Sequence, residues 1–205
     1  MELFIENGGM LGANCYMLSS DSAAVLIDVG EFTDNVRRFL TDNKEKEIML
    51  LATHRHFDHV AGICEAKAFS GAKIAVHSLD ECGLKSAADS LGANFDVIHS
   101  PVEADLLLSD GDCLQVGDIS IKVIHTPGHT EGSVCFLIDD MLFSGDTLFH
   151  LSVGRTDFPS GNTATLLRSL DKLFSLERDC PVYPGHDRQT KLYYEKQYNP
   201  YYNRG

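Results

Sequence analysis

The 205-residue sequence has no apolar run approaching the ~20 residues that a bilayer-spanning helix needs. Its opening, MELFIENGGM, has neither the basic nor the apolar stretch of a secretory leader. No Pro/Gly/Ser-rich linker, low-complexity tract or charge block divides the chain, so one domain over residues 1–205 is expected. Basic residues are scarce: 17 against 30 acidic ones, for a net charge of −13. A field of that sign repels polyanions, so nucleic acid and anionic membrane are not expected partners. Its six cysteines (Cys15, Cys64, Cys82, Cys113, Cys135 and Cys180) form no Cys-x-x-Cys pair and read as free thiols, mostly buried. These absences describe a soluble protein whose simplest compartment is the cytoplasm. The balance reverses after His186, where Arg188, Lys191, Lys196 and Arg204 outnumber Asp187 and Glu195, and a small anionic substrate could be received there.

Many short elements are present instead. Strand patterns cover Leu3–Ile5, Cys15–Leu18, Ala23–Ile27 and Lys73–His77, and Ile48–Ala52 is apolar throughout, as a strand buried on both faces should be. A second run of strands follows at Asp112–Val116, Ile119–His125, Ser133–Ile138, Leu142–Ser144 and Pro181–Tyr183. Helices are predicted from a Thr33 or Asp34 cap through Leu40, from His59 to a stop at Gly71, over Asp80–Leu91, and from an Asn162 cap through Leu176. This order predicts an α/β protein with two mixed sheets face to face and helices outside.

Chemistry concentrates where strands end. Thr53-His54-Arg55-His56-Phe57-Asp58-His59 follows the buried strand directly. His54 and His56, two apart, point to the same side of extended backbone, while Asp58 and His59 diverge. The same element, a strand with a ligand at its carboxyl end, recurs in His125-Thr126-Pro127-Gly128-His129, Phe143-Ser144-Gly145-Asp146 and Tyr183-Pro184-Gly185-His186. By chemical need these residues sort into two sites. His54, His56 and His129 offer one ion three imidazoles, a set suited to zinc with an open position for water. Asp58, His59 and His186 offer a second ion mixed oxygen and nitrogen ligands, and Asp146 can bridge the two. Nitrogen-rich ligation favours Zn, Fe or Mn over Mg or Ca.

Four motifs, HxHxDH, TPGHT around His129, SGDTLF around Asp146 and PGH ending at His186, are similar to those of the metallo-β-lactamase superfamily. The resemblance runs from Asn14-Cys15-Tyr16 to the segment between Glu195 and Pro200, and implies a four-layer αββα sandwich with metals at the sheet edges. Within the superfamily the chain looks most like a short form of the type II glyoxalases, the hydroxyacylglutathione hydrolases. Gly154-Arg155-Thr156-Asp157-Phe158 carries that likeness and is shared with persulfide dioxygenases. Asp146 stands where the commonest true β-lactamases carry Cys, so lactam hydrolysis is not the expected main role. The 205 residues leave no room for the C-terminal helical region that makes much of the glutathione contact in long forms.

The expected reaction is hydrolysis of a small acyl-thiol. A water bridging two cations loses its proton near neutral pH, and the hydroxide attacks a carbonyl whose developing oxyanion the ions stabilise. Asp58 is expected both to bind metal and to orient the hydroxide. The rival activities are a mononuclear iron dioxygenase acting on a persulfide, a lactonase or other small-ester hydrolase, and a nuclease; a metal-stabilised binding module is the non-enzymatic rival. Several residues keep two readings. Asp28 either supports a ligand histidine or caps a turn. Arg155 either anchors a substrate carboxylate or pairs with Asp157. Tyr193, Tyr194, Tyr198, Tyr201 and Tyr202 either wall the substrate or pack the C-terminus. Arg55 should point away from the ions, Ser133 is too ordinary for a nucleophile, and His77, His99, His125 and His150 fall outside the ligand pattern.

Overall fold

A computed structural model describes residues 1–202. Arg204, counted above in the basic terminal stretch, lies outside the described residues. Strands β1 (Glu2–Gly8), β2 (Ala13–Ser19) and β3 (Ala23–Ile27) form an antiparallel meander. Helix α1 (Asp34–Asp42) then carries the chain to β4 (Glu47–Leu51), parallel to β3. After α2 (Phe57–Val60) and α3 (Ile63–Ser70) comes β5 (Lys73–His77), and after α4 (Cys82–Lys85) comes β6 (Leu106–Leu108), both added in parallel. The first sheet therefore runs β1-β2-β3-β4-β5-β6.

Antiparallel strands β7 (Cys113–Val116), β8 (Ile119–His125), β9 (Val134–Ile138) and β10 (Met141–Gly145) begin the second sheet. A small ribbon of β11 (Leu148–Phe149) and β12 (Ser152–Val153) precedes α5 (Thr163–Phe174). Then β13 (Pro181–Pro184) joins β10 in parallel, followed by β14 (Thr190–Lys191) and α6 (Leu192–Tyr198). The order is β14-β13-β10-β9-β8-β7.

Alternation along each strand explains the layers. In β3, Val25 and Ile27 face the second sheet and meet Ile121, Val123, Phe136 and Phe143. Ala24 and Leu26 face the other way, packing with Leu50 and Ile74 on Val36, Leu40 and Ile63 of the helices. On the far side, Ile124, Leu142 and Val182 pack against Leu170, Leu173 and Phe174. Strands buried on both faces read as uninterrupted apolar runs, and the result is the expected αββα sandwich.

The caps are as predicted: Thr33 accepts from Val36 N–H, Asn162 from Thr165 N–H, and Gly71 closes α3 at φ 71°. Three expectations need correction. The predicted helix over Asp80–Leu91 is helical only at Cys82–Lys85, because Ser86 is extended and Leu91 is left-handed at φ 64°. A Cβ on Gly83 would sit 2.5 Å from the Arg55 carbonyl, so this segment follows its contact with the histidine loop rather than its own propensity. The helix after His59 is broken at Gly62, whose backbone lies against Glu31. All six cysteines are free, but only Cys15, Cys135 and Cys180 are buried, and Cys113 is exposed. Among the described residues no helix is long and apolar enough to cross a membrane.

Candidate metal centre

Strands β8, β10 and β13 run in the same direction, so their carboxyl ends share one edge of the second sheet, opposite the end of β4 in the first. The two edges are pinned together. Val134 N–H donates to Thr53 O at 2.8 Å, and Asn14 Nδ2 and Tyr16 OH donate to Pro184 O at 2.9 and 2.6 Å, just ahead of His186. Two glycines allow the approach. A Cβ on Gly145, itself at φ 47°, would lie 2.4 Å from Thr53 Oγ1, and one on Gly185 would lie 2.1 Å from Asp146 Oδ1.

All seven expected ligand residues meet at this junction. Donor atoms of His54, His56 and His129 lie within 4.8 Å of one another, as do those of Asp58, His59 and His186. In the first group His56 Nδ1 faces His129 Nε2 at 2.8 Å. In the second, His186 Nε2 lies 3.3 Å from both His59 Nε2 and Asp58 Oδ2. Asp146 spans them: its Oδ1 is 3.4 Å from His59 Nε2 and its Oδ2 is 3.4 Å from His129 Nε2.

Second contacts aim the imidazoles. His59 Nδ1 donates to Asp28 Oδ2 at 2.9 Å, and His129 Nδ1 donates to Arg155 O at 2.7 Å, leaving each Nε2 to face the cluster. Asp28, at φ 60°, also accepts from Thr53 N–H and Thr53 Oγ1, both at 2.7 Å, so it braces a histidine of the cluster and the start of the loop together. Buried His54 Nε2, His56 Nε2 and Asp146 Oδ1 have no hydrogen-bond partner among the described residues. Each such atom costs ~1–3 kcal/mol if nothing satisfies it. Convergent nitrogen and carboxylate donors with unsatisfied lone pairs fit a pair of divalent cations.

The two groups differ electrically. Burial pushes His54 well below the usual imidazole range, with charge from neighbouring histidines adding to it. Burial and then His129 bring His56 down to about 2. In the second group burial opposes charge, but is outweighed. Asp58, Asp146 and Asp28 raise His59 to about 10, and a hydrogen bond donated to Asp58 raises His186. Burial would likewise raise Asp58, yet His59 and His186 hold it well below the usual carboxylate range.

A cavity of about 380 Å³ opens onto His56, Asp58, His129, Asp146 and His186. Its outer wall is Leu11, Phe57, Leu91, Phe95, Phe149, Val153 and Phe158. This wall is phenylalanine where a tyrosine wall was one reading. Tyr193, Tyr194, Tyr198 and Tyr201 are exposed elsewhere, and Tyr202 packs on Phe174. Phe57, Phe149 and Phe158 lie inside the motifs quoted above and Phe95 outside them, but no sequence feature joins the four into one wall, because they come from separate segments. Arg155 lines the mouth, but its guanidinium bonds Asp157 at 2.7 and 2.6 Å, which is the loop-fixing reading. Arg55 turns away from the cluster to Ser160 Oγ at 2.8 Å. Ser133 bonds Thr130, His77 stacks on His125 at 4.1 Å, His99 contacts Ser90, and His150 contacts Arg188, all apart from the ligand groups.

Asp80 is a residue that the sequence did not mark for the site. Fully buried, it accepts from Arg55 N–H at 3.1 Å, Thr130 Oγ1 at 2.5 Å and Gly132 N–H at 3.0 Å, tying the His54–His56 loop to the His129 turn. In sequence it resembles an ordinary helix-capping aspartate.

Residues 8–186 match the family model described as the metallo-beta-lactamase superfamily. The chain is 30% identical over 201 residues to the probable metallo-hydrolase YqgX of Bacillus subtilis, covering 95% of this chain and 94% of that protein. It is 32% identical over 175 residues to the hydroxyacylglutathione hydrolase of Francisella tularensis subsp. novicida, covering 84% of this chain and 62% of that protein. The crystal structure of the BLEG-1 B3 metallo-beta-lactamase is similar with a TM-score of 0.88 at 29% identity, covering 98% of this chain and 100% of that one. The di-iron-bound form of TTHA1623 has a TM-score of 0.85 at 30% identity, with 97% and 99% covered.

Proposed function

The chain belongs to the metallo-beta-lactamase superfamily, and from that premise we propose that it is a dinuclear metal-dependent hydrolase of a small thioester, with the reaction of a hydroxyacylglutathione hydrolase. The observation that carries this reading is Asp146, with one oxygen 3.4 Å from His59 of one donor group and the other 3.4 Å from His129 of the second. In this reading His54, His56 and His129 would hold one ion and Asp58, His59 and His186 the other, with Asp146 placed between the two groups. Bound there, divalent cations supply Lewis acidity, lowering the pKa of water and drawing charge from a carbonyl oxygen.

The chain's own residues do the rest. Asp58 accepts a hydrogen bond from the attacking water and orients it. Asp28 and the Arg155 carbonyl hold the His59 and His129 rings against rotation as charge moves. The phenylalanine wall excludes bulk water from the acyl side. A thiol pKa of about 8.5 lets the leaving group depart as thiolate, so no general acid is needed.

The hydroxyacylglutathione hydrolase relative supports the thioester as substrate. Nitrogen-rich donors support zinc, and the di-iron relative makes iron the second reading of the metal. A single-iron persulfide dioxygenase would leave Asp58, His59 and His186 without a task. The test is metal content of protein purified without added metal, measured beside thioester hydrolysis for wild type and Asp146→Ala. Two ions per chain, with turnover reduced by orders of magnitude in the variant, are expected. One iron per chain with oxygen uptake on a persulfide would overturn the hydrolase.

A further inference from the structure

The 380 Å³ cavity over the donor groups has an apolar outer wall, and the cation at its lip, Arg155, is paired with Asp157. Phe158 stands edge-on to His56 at 5.8 Å and Phe149 edge-on to His186 at 6.0 Å, so aromatic rings flank both donor groups. Phe57 and Phe95, 5.0 Å apart, continue the wall outward. Apart from histidine, Arg155 is the one cationic side chain among the described lining residues. Its guanidinium is bidentate to Asp157 and lies 3.8 Å over the Phe158 ring. A carboxylate arriving at the lip would meet a cation already paired with Asp157. Arg188 and Lys191 line a different cleft of about 500 Å³, with Tyr183 and Tyr194, which shares no lining residue with the first.

We infer that the cavity takes an uncharged apolar group flanking the scissile carbonyl, and that Asp157 sets this preference by occupying Arg155. This rests on the hydrolase reading and narrows its substrate class, away from acyl-thiols with charged groups beside the carbonyl. The physical basis is burial against the phenylalanine wall, where each methylene gains ~0.8 kcal/mol, or about fourfold in affinity.

The metal-loaded enzyme is assayed with straight-chain thioesters from acetyl to octanoyl on one uncharged thiol, then with acetyl thioesters of lengthening alkyl thiols. The same acyl series is run as oxyesters. In one of the thioester series kcat/KM should climb about fourfold per methylene until the cavity fills, and Phe95→Ala should flatten the climb. Asp157→Asn should raise the preference for a succinyl over a butyryl thioester about two- to fivefold, the scale of one solvent-exposed ion pair. Flat series in both directions would overturn the inference even if thioesters are cleaved. So would a preference for glutathione thioesters that Arg188→Gln abolishes. Rising oxyester rates with no thioester cleavage would sustain the inference while defeating the thioester. The wild-type slopes decide the matter even if Phe95→Ala does not fold.

Discussion

The two halves of the centre solve opposite electrostatic problems a few ångströms apart. His54 and His56 are buried imidazoles whose basicity burial suppresses, so at neutral pH they present free nitrogen lone pairs. His59 and His186 sit among carboxylates that raise their proton affinity, so in the metal-free protein His59 holds a proton at neutral pH and His186 is drawn the same way. Each half also has its own buried brace. Asp28 bonds His59 directly, whereas Asp80 bonds only the backbone and hydroxyl neighbours of the first half's histidines. The contrast shows that similar ligands acquire different proton chemistry from whether carboxylates or other imidazoles surround them.

The largest effects should come from removing one ligand on either side. His56→Ala is expected to empty the first position and lower turnover by orders of magnitude, whereas His186→Ala should leave one ion per chain on the imidazole triad. Metal counts by atomic emission would break the comparison if His186→Ala emptied both positions. Next in size, Asp28→Asn should weaken one ion about 10–100-fold, the usual consequence of losing a ligand's carboxylate partner. Competition against a chelating dye should find the other ion, whose His54 is reached from Asp28 only through Thr53, weakened less; equal weakening of both would erase the preference of Asp28 for one half.

A pH series sharpens the contrast further. A raised histidine pKa means that the second position is protonated at neutral pH and that a cation must displace the proton. Its apparent affinity should therefore rise about tenfold per pH unit per proton until pH approaches 10. In the first position His54 and His56, already neutral across this range, should add almost no slope of their own. Stepwise titration at pH 6 and pH 8 measures both, and equal slopes would refute the difference. The smallest change is expected for Asp80→Asn, a several-fold loss confined to the first ion, because Asp80 holds the ligand loops rather than a ligand ring. An effect on the second ion alone would place the brace on the wrong side.

Much of this centre was legible because its chemistry lies at the ends of apolar strands. Ile48–Ala52 and the histidine-rich segment after it announce a buried strand and a site by composition alone, Gly145 marks a backbone that can approach closely, and Pro184-Gly185 marks a turn that delivers His186. Less was legible where contacts outweigh local preference. The Asp80–Leu91 segment has helical residues, but the fit of Gly83 against Arg55 limits the helix to one turn. Strands β6, β11, β12 and β14, of two or three residues, are too short to show a period. Asp28 had two equal readings until the His59 contact favoured one.

By itself the sequence determined the layered architecture and singled out the seven candidate donors, because side-chain alternation and ligand chemistry are local properties of a strand and the residues that end it. Only the tertiary structure decided that Asp146 lies between the two groups, that Asp80 braces one of them, and that phenylalanines from separate segments enclose the mouth. It also decided that Arg155 is already paired. Those are relations across long stretches of chain, set by how two sheets pack edge to edge, and no window of sequence contains them.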